Sequence, residues 1–361
     1  MIDLASELGA LGLRPLQLPS HPLDDRRWAQ LLHLADRERV VGVLAHGVAT
    51  GAVTVDDSQY EQVASMQRRS AATDLELERR LVRWCEGLTG AGVAHRVLKG
   101  AALAHLAYPD PGLRSFGDVD LLVPMEQLAE AVDALAVVGL RRREPEVRRG
   151  FDARFGKGTT LVDDDGWELD LHRLLAAGPY GQLARTNELF DEEPETLHLG
   201  GVHLEALPLP SALVVACCNA ALGDAVPRLS PLRDVVVLVR RTGSELEGVL
   251  GRATRWRLDA VVARAVRMAW DRLALPDRPA IVDWAKSQPC SARDRRWLDL
   301  YGEQRSYAQL TFASMRTMPH WRDRAALAAA LALRGSSSPG RSPRQQVQRA
   351  LSLLVGRPVP R

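Results

Sequence analysis

The sequence predicts an α/β (α+β) core with a mixed sheet, flanked by N-terminal and C-terminal helical regions. Three observations predict it. Residues 1–90 carry apolar positions at three- and four-residue spacing. Between 91 and 207 the pattern shortens to alternating runs separated by emphatic turn signals. From 208 to about 334 the helical period returns, and the Gly-, Ser- and Pro-rich stretch that opens 335–361 reads as a flexible linker and tail.

The elements follow in order. Trp28 to Ala35, Arg39 to Ala49 and Asp56 to Leu88 read as amphipathic helices, with breaks at Pro19, Pro22 and around Gly51. His95 to Leu98 is a short strand ending in Lys99-Gly100. Ala101 to Tyr108 is a helix stopped by Pro109-Asp110-Pro111-Gly112. Val119 to Val123 is a second strand, and Met125 to Val138 a helix with Gly139 as its cap. Thr159 to Asp163 and Trp167 to His172 form a hairpin about Asp164-Asp165-Gly166. Downstream, Ser211 to Leu222, Leu232 to Arg241, Leu258 to Leu273 and Asp294 to Tyr307 are helical, and Gln345 to Val355 can add one more short helix. No internal repeat is visible.

Composition narrows the class. With 361 residues, 46% hydrophobic and 25% charged, the chain is long enough for several modules and reads as soluble and globular. A formal charge of +2 gives no strong nucleic-acid signal. Asp3 and Glu7 precede any apolar run, so no secretory signal is expected, and Ala325 to Leu333 is too short to span a membrane. Cys85, Cys217, Cys218 and Cys290 have no metal-site or disulfide spacing, so buried thiols and a cytoplasmic location are expected. Almost all the positive charge is arginine. Lys99, Lys157 and Lys286 are the only lysines, which makes each worth following.

The chemistry concentrates in the core. Asp118 and Asp120 stand two apart at the mouth of a strand, so both carboxylates share one face while Val119 and Leu121 turn to the core. Like charges so placed gain nothing for folding, whereas a divalent cation with a preference for oxygen reverses that balance. Trp167-Glu168-Leu169-Asp170-Leu171-His172 repeats the alternation, with Glu168, Asp170 and His172 on the polar face. If the two strands are neighbours, Asp170 or Glu168 can join Asp118 and Asp120 as a third carboxylate, enough for a two-metal centre of the kind that clamps an in-line phosphorus displacement. Lys99-Gly100 opens a helix where a triphosphate can be cradled, and Arg114-Ser115 can add a guanidinium and a hydroxyl. Each motif alone is more often solvation or a turn cap; their order along the chain is the signal.

That order resembles the nucleotidyltransferase superfamily of DNA polymerase beta and the antibiotic nucleotidyltransferases. More closely it resembles a bacterial family of uncharacterised nucleotidyltransferases. The matching residues are Leu98-Lys99-Gly100, Tyr108 with Arg114, Asp118-Val119-Asp120-Leu121-Leu122-Val123, and Asp170-Leu171-His172. The resemblance implies a nucleotidyltransferase core with Mg²⁺ (two ions expected) held by Asp118, Asp120 and Asp170. It implies triphosphate contacts from Lys99 and Gly100, a role for Arg114, and downstream helices that cover the base. Nucleoside monophosphate would pass from a triphosphate, ATP being expected, to an acceptor hydroxyl on a small molecule, peptide, protein or RNA.

Two positions depart from the pattern. Ala101 stands where the superfamily has a serine, leaving the phosphate contact to Lys99 or Ser115, and Asn219 lies near where the family has a histidine. Asp234 fits the family's later helical aspartate or a plain helix N-terminal residue, and His172 is expected to orient a ligand or simply to fill the strand. The rival reading is a catalytically idle nucleotide- or peptide-binding module in a modification complex. A nucleotide-sugar glycosyltransferase would need a larger domain before the aspartates than residues 1–90 supply.

Overall fold

Alternating apolar residues pull two short segments, Val119–Leu122 and Glu168–His172, into the middle of a seven-stranded mixed sheet. The computed structural model describes residues 3–146, 149–303, 306–318 and 320–334; the expected linker, tail and last short helix lie outside these. The strands are β1 (Arg96–Val97), β2 (Val119–Leu122), β3 (Arg141–Arg142), β4 (Gly158–Val162), β5 (Glu168–His172), β6 (Glu195–Leu199) and β7 (Val202–Ala206). Their order across the sheet is β3-β4-β5-β2-β1-β7-β6.

Register carries the functional consequence. β2 and β5 run parallel with Asp120 opposite Asp170 and Leu122 opposite His172. A parallel pair needs a crossover, supplied here through the helix Leu128–Val137, which Gly139 ends at φ +97°. β4 and β5 form the expected antiparallel hairpin, and β1 lies antiparallel on the other side of β2. The hairpin β6–β7, turning on Gly200 and Gly201 with both φ positive, extends the sheet beyond the sequence expectation. Asp294 to Tyr307, expected as one helix, is two, Ala292–Asp299 and Tyr307–Met315, with Gly302 between them.

One apolar cluster lies under the sheet. Val119, Leu121, Leu169 and Leu171 meet Leu81, Trp84 and Leu88 of the long helix Asp57–Gly90 and Leu128 and Leu135 of the crossover helix. Each such side chain removed from water contributes about 1.5–3 kcal/mol, so the carboxylate-bearing strands are fixed from below. A second cluster joins Trp28, Leu31 and Leu44 from the first helices to Leu213, Val235, Trp256 and Val266 from the last ones. The helix Asp57–Gly90, capped by Asp56 through Gln59 N–H at 2.8 Å, contributes to both, with Val63 in one and Leu77 in the other.

Gly42 shows how tightly the first helices meet the loop that leads to β2. A Cβ there would sit 1.7 Å from the Gly112 carbonyl oxygen, whereas one at the exposed helical Gly251 would meet nothing within 4 Å. Gly42→Ala should therefore lose about 3 kcal/mol or more in urea unfolding. Gly251→Ala should gain about 0.5–1 kcal/mol by restricting the unfolded chain.

Candidate functional site

The site is assembled where β1 ends and the parallel strands β2 and β5 begin. The Leu98 amide donates to the Asp120 carbonyl at 3.1 Å, which sets Lys99 beside β2. Gly100 then turns at φ +56°, ψ −117°, a conformation that favours glycine, and the helix Ala101–Leu106 begins. The Lys99 ammonium lies 3.0 Å from Asp120 Oδ1. His172 Nε2 approaches the same oxygen at 2.7 Å.

A carboxylate only accepts, so Nε2 of His172 carries the proton and orients Asp120. Its other ring nitrogen, Nδ1, is buried without a hydrogen-bond partner among the described residues. Burial, followed by the nearby Lys157 ammonium, holds the imidazole below its ordinary pKa against the pull of Asp120, so the ring is neutral near neutral pH. Burial by itself would raise the Asp120 carboxyl; Lys99 and His172 outweigh it and keep the group well below the usual carboxylate range.

Asp170 projects from β5 opposite Asp120 and accepts from Thr160 Oγ1 of β4 at 2.6 Å. Ligand atoms of Asp120, Asp170 and His172 all fall within 4.8 Å of one another, a grouping that could hold a metal ion. The two acidic segments expected to converge do so. Asp118, at the mouth of β2, lines the same cavity but lies outside that triplet and pairs with Arg39 Nη1 at 3.1 Å.

Arg39 follows the helix Asp25–Arg37 with a left-handed backbone (φ +56°), and its guanidinium lies against Gly117, where a Cβ would come within 3.0 Å. Its neighbour Glu38 accepts the Leu229 amide at 2.9 Å, at the start of the helix Leu229–Thr242. Arg114 is buried, and its guanidinium is committed to Asp234 through two hydrogen bonds (2.7 and 2.9 Å) and to the Ser115 carbonyl. Tyr108 OH also donates to Asp234, at 2.9 Å. Asp234 thus anchors Arg114 rather than serving a helix terminus. The Ser115 hydroxyl accepts from Ser70 at 2.9 Å, behind the cavity wall.

The cavity measures about 250 Å³. Lys99, Gly100, Asp118, Asp120 and Asp170 form its sheet side; Asn219 and Ser230 face them from the downstream helices, and Asp224 and Arg228 from the loop between those helices. Arg39, Arg114 and Lys157 complete a lining with five cationic and four carboxylate side chains, strongly polar and suited to a polyanion accompanied by cations. Arg39, Arg228 and Asp224 gave no signal in the sequence; the scarcity of lysine pointed at Lys157.

Carboxylates from two adjacent parallel strands and a lysine-glycine turn thus meet in one polar cleft roofed by helices. The chain belongs to the uncharacterised nucleotidyltransferase family, whose model matches residues 24–274, and it is a nucleotidyltransferase. No curated protein sequence matches it. Among solved structures it is similar to the antibiotic-resistance factor ANT(2'')-Ia, at 15% identity over 53% of this chain and 95% of that one, with a TM-score of 0.35. It is also similar to an antigenic nucleotidyltransferase-like protein from Paracoccidioides brasiliensis, at 13% identity over 57% and 96%, with a TM-score of 0.33. Likeness at that level bears no weight here.

Asp74 supports the loop before β2, accepting the Phe116 amide at 3.0 Å. Burial, then Glu78 one turn on, push its carboxyl up to about 6 against the pull of Phe116 N–H, Arg114 and Arg39. The unfolded chain ionises this group from 3.8, so its protonated form contributes stability that is full below pH 4 and is lost as pH rises through about 6. Asp74→Asn, which keeps the acceptor and cannot ionise, should exceed wild type by on the order of 1–3 kcal/mol at pH 8 and match it at pH 4. Paired urea titrations at the two pH values check this.

Proposed function

We propose that the protein transfers a nucleoside monophosphate from a nucleoside triphosphate, ATP in the first instance, to an acceptor hydroxyl with release of pyrophosphate, and that the reaction depends on Mg²⁺. The observation that carries the reading is the register of Asp120 with Asp170, with Asp118 at the strand mouth and Lys99 against Asp120.

The donor set fits the metal. Carboxylate oxygens from Asp118, Asp120 and Asp170 are the hard ligands Mg²⁺ takes, while His172, donating through Nε2, positions Asp120. Bound there, Mg²⁺ would supply charge neutralisation at the phosphoryl oxygens and favour the ionised acceptor. The residues do the rest. Asp170 takes the acceptor proton as the new oxygen–phosphorus bond forms at the α-phosphorus. The bond to the bridging oxygen breaks, and pyrophosphate leaves with the electron pair. Lys99 meets the departing charge, and Gly100 lets the backbone come close to it. Arg114 lines the same cavity with its charge met by Asp234, and Ser115 steadies the turn before β2 through Ser70. The acceptor is a small molecule, peptide, protein or RNA.

Asp170→Asn and Asp118→Asn should each lower transfer by at least about 10²–10³-fold with an unchanged thermal melt. Asp120→Ala should lose both activity and stability, since it strands the Lys99 ammonium in a largely enclosed site. The assay incubates cell lysate with ATP labelled at the α-phosphorus and follows which species gains label. A normal rate in Asp120→Asn sinks the reading. Metal-dependent ATP binding without pyrophosphate release, across many acceptors, would instead favour an idle binding module. Chelation should abolish labelling, and Mg²⁺ added back should restore it.

A further inference from the structure

Four arginines are buried among the described residues: Arg96, Arg114, Arg173 and Arg233. Three of them have a carboxylate to offset the charge. Arg96 pairs with Glu205 and Arg114 with Asp234, while Arg233 lies in the field of Asp234 and donates to the Gly9 and Leu11 carbonyls. Arg173, at 7% exposure, has no such partner among the described residues. Burial lowers its pKa, and no neighbouring charge acts on it in either direction. The stretches outside the described residues contain no aspartate or glutamate, so no acidic side chain of the chain remains to meet it. A guanidinium withdrawn from water without an opposite charge costs stability, and a ligand anion would offset that cost.

Arg173 lines a cavity of about 570 Å³, an ordinary size for a small-molecule site. This cavity shares no lining residue with the cleft around Asp120 and Asp170. Met125, Phe155, Leu174 and Met318 make much of its wall apolar. Its other charged residues are already engaged. Arg154 pairs with Asp323 at 2.7 Å, Arg185 with Glu188 at 3.3 Å, and the exposed Glu126 accepts from Asn187 Nδ2 at 2.9 Å.

The cation is held in place before any ligand arrives. The Arg173 amide donates to the Lys157 carbonyl at 2.9 Å, and its own carbonyl accepts from Thr186 Oγ1 at 3.0 Å. Nη1 donates to the Gly156 carbonyl at 2.7 Å, and Nε is buried with no hydrogen-bond partner among the described residues. With Nη1 committed, the edge formed by Nε and Nη2 remains, and its parallel N–H groups match the two oxygens of a carboxylate. A single uncompensated cation suits a single negative charge. A phosphate dianion would need a second one, and Arg154 and Arg185 are paired.

We infer that this cavity is a second ligand site, taking a small carboxylic acid as its anion, with the carboxylate on Arg173 and the apolar body against Met125, Phe155 and Met318. Neither nucleotide nor Mg²⁺ enters the inference, so it stands or falls apart from the transferase reading.

Calorimetric titration of the full chain with hexanoate, without nucleotide or metal, tests it. Wild type should bind hexanoate. Hexan-1-ol and hexylamine, of the same length without the negative charge, should bind about tenfold or more weakly, and so should acetate, which lacks the apolar body. Arg173→Met should weaken hexanoate by about tenfold or more, with Arg173→Lys in between. Gln182→Trp, which leaves Arg173 intact and fills the cavity from its wall, should abolish hexanoate binding with an unchanged thermal melt. A wild-type chain that ignores hexanoate, or binds hexan-1-ol or acetate as well, overturns the ligand class. Hexanoate binding that survives in both Arg173→Met and Gln182→Trp lies elsewhere on the protein and overturns the site.

Discussion

The arrangement depends on keeping two carboxylates together without letting either lose its charge. Asp120 and Asp170 offer oxygens within 4.8 Å of one another, a repulsion of roughly 3–4 kcal/mol at an effective dielectric of about 20. The Lys99 ammonium at 3.0 Å from Asp120 returns about 5 kcal/mol on the same scale. His172 adds a hydrogen bond to the same oxygen without adding charge, because burial keeps its ring neutral. Asp120 is therefore ionised although it is buried, and the strand beside it can carry a second acid in register.

A second buried pair does structural work at the edge of the same cleft. Arg114 leads into the segment before β2, and Asp234 sits on the helix Leu229–Thr242; their two hydrogen bonds fasten the helical wall to the approach to β2. Both groups are almost wholly buried, so the attraction is set against the cost of desolvation, and such a pair gives little net stability. It gives placement instead: with Tyr108 OH on the same carboxylate, Arg114 has one orientation open to it.

How much of this was legible follows from the range of each interaction. The shared face of Asp118 and Asp120, and that of Asp170 and His172, is a local consequence of a period of two, and it could be read directly. Their convergence depended on one non-local fact, the parallel pairing of β2 with β5, which a strand–helix–strand pattern already favours. The hairpin β6–β7 was within reach too, since Gly200-Gly201 between alternating residues is a strong turn signal. β3, at two residues, is too short for any pattern to show. Arg39 is 79 residues from Asp118 and Asp234 is 120 from Arg114. No periodicity links residues so far apart, so the partners of Asp118 and Arg114 had to come from the packing of helices onto the sheet.

The short turn at Glu38 and Arg39 touches two bodies at once. One side chain caps the helix Leu229–Thr242, and the next grips Asp118. Because consecutive residues move together, the roof and the floor of the cleft are geared to each other through a single peptide unit. The spacing between the start of that helix and Asp118 is therefore set by two adjacent side chains rather than by a long relay of contacts.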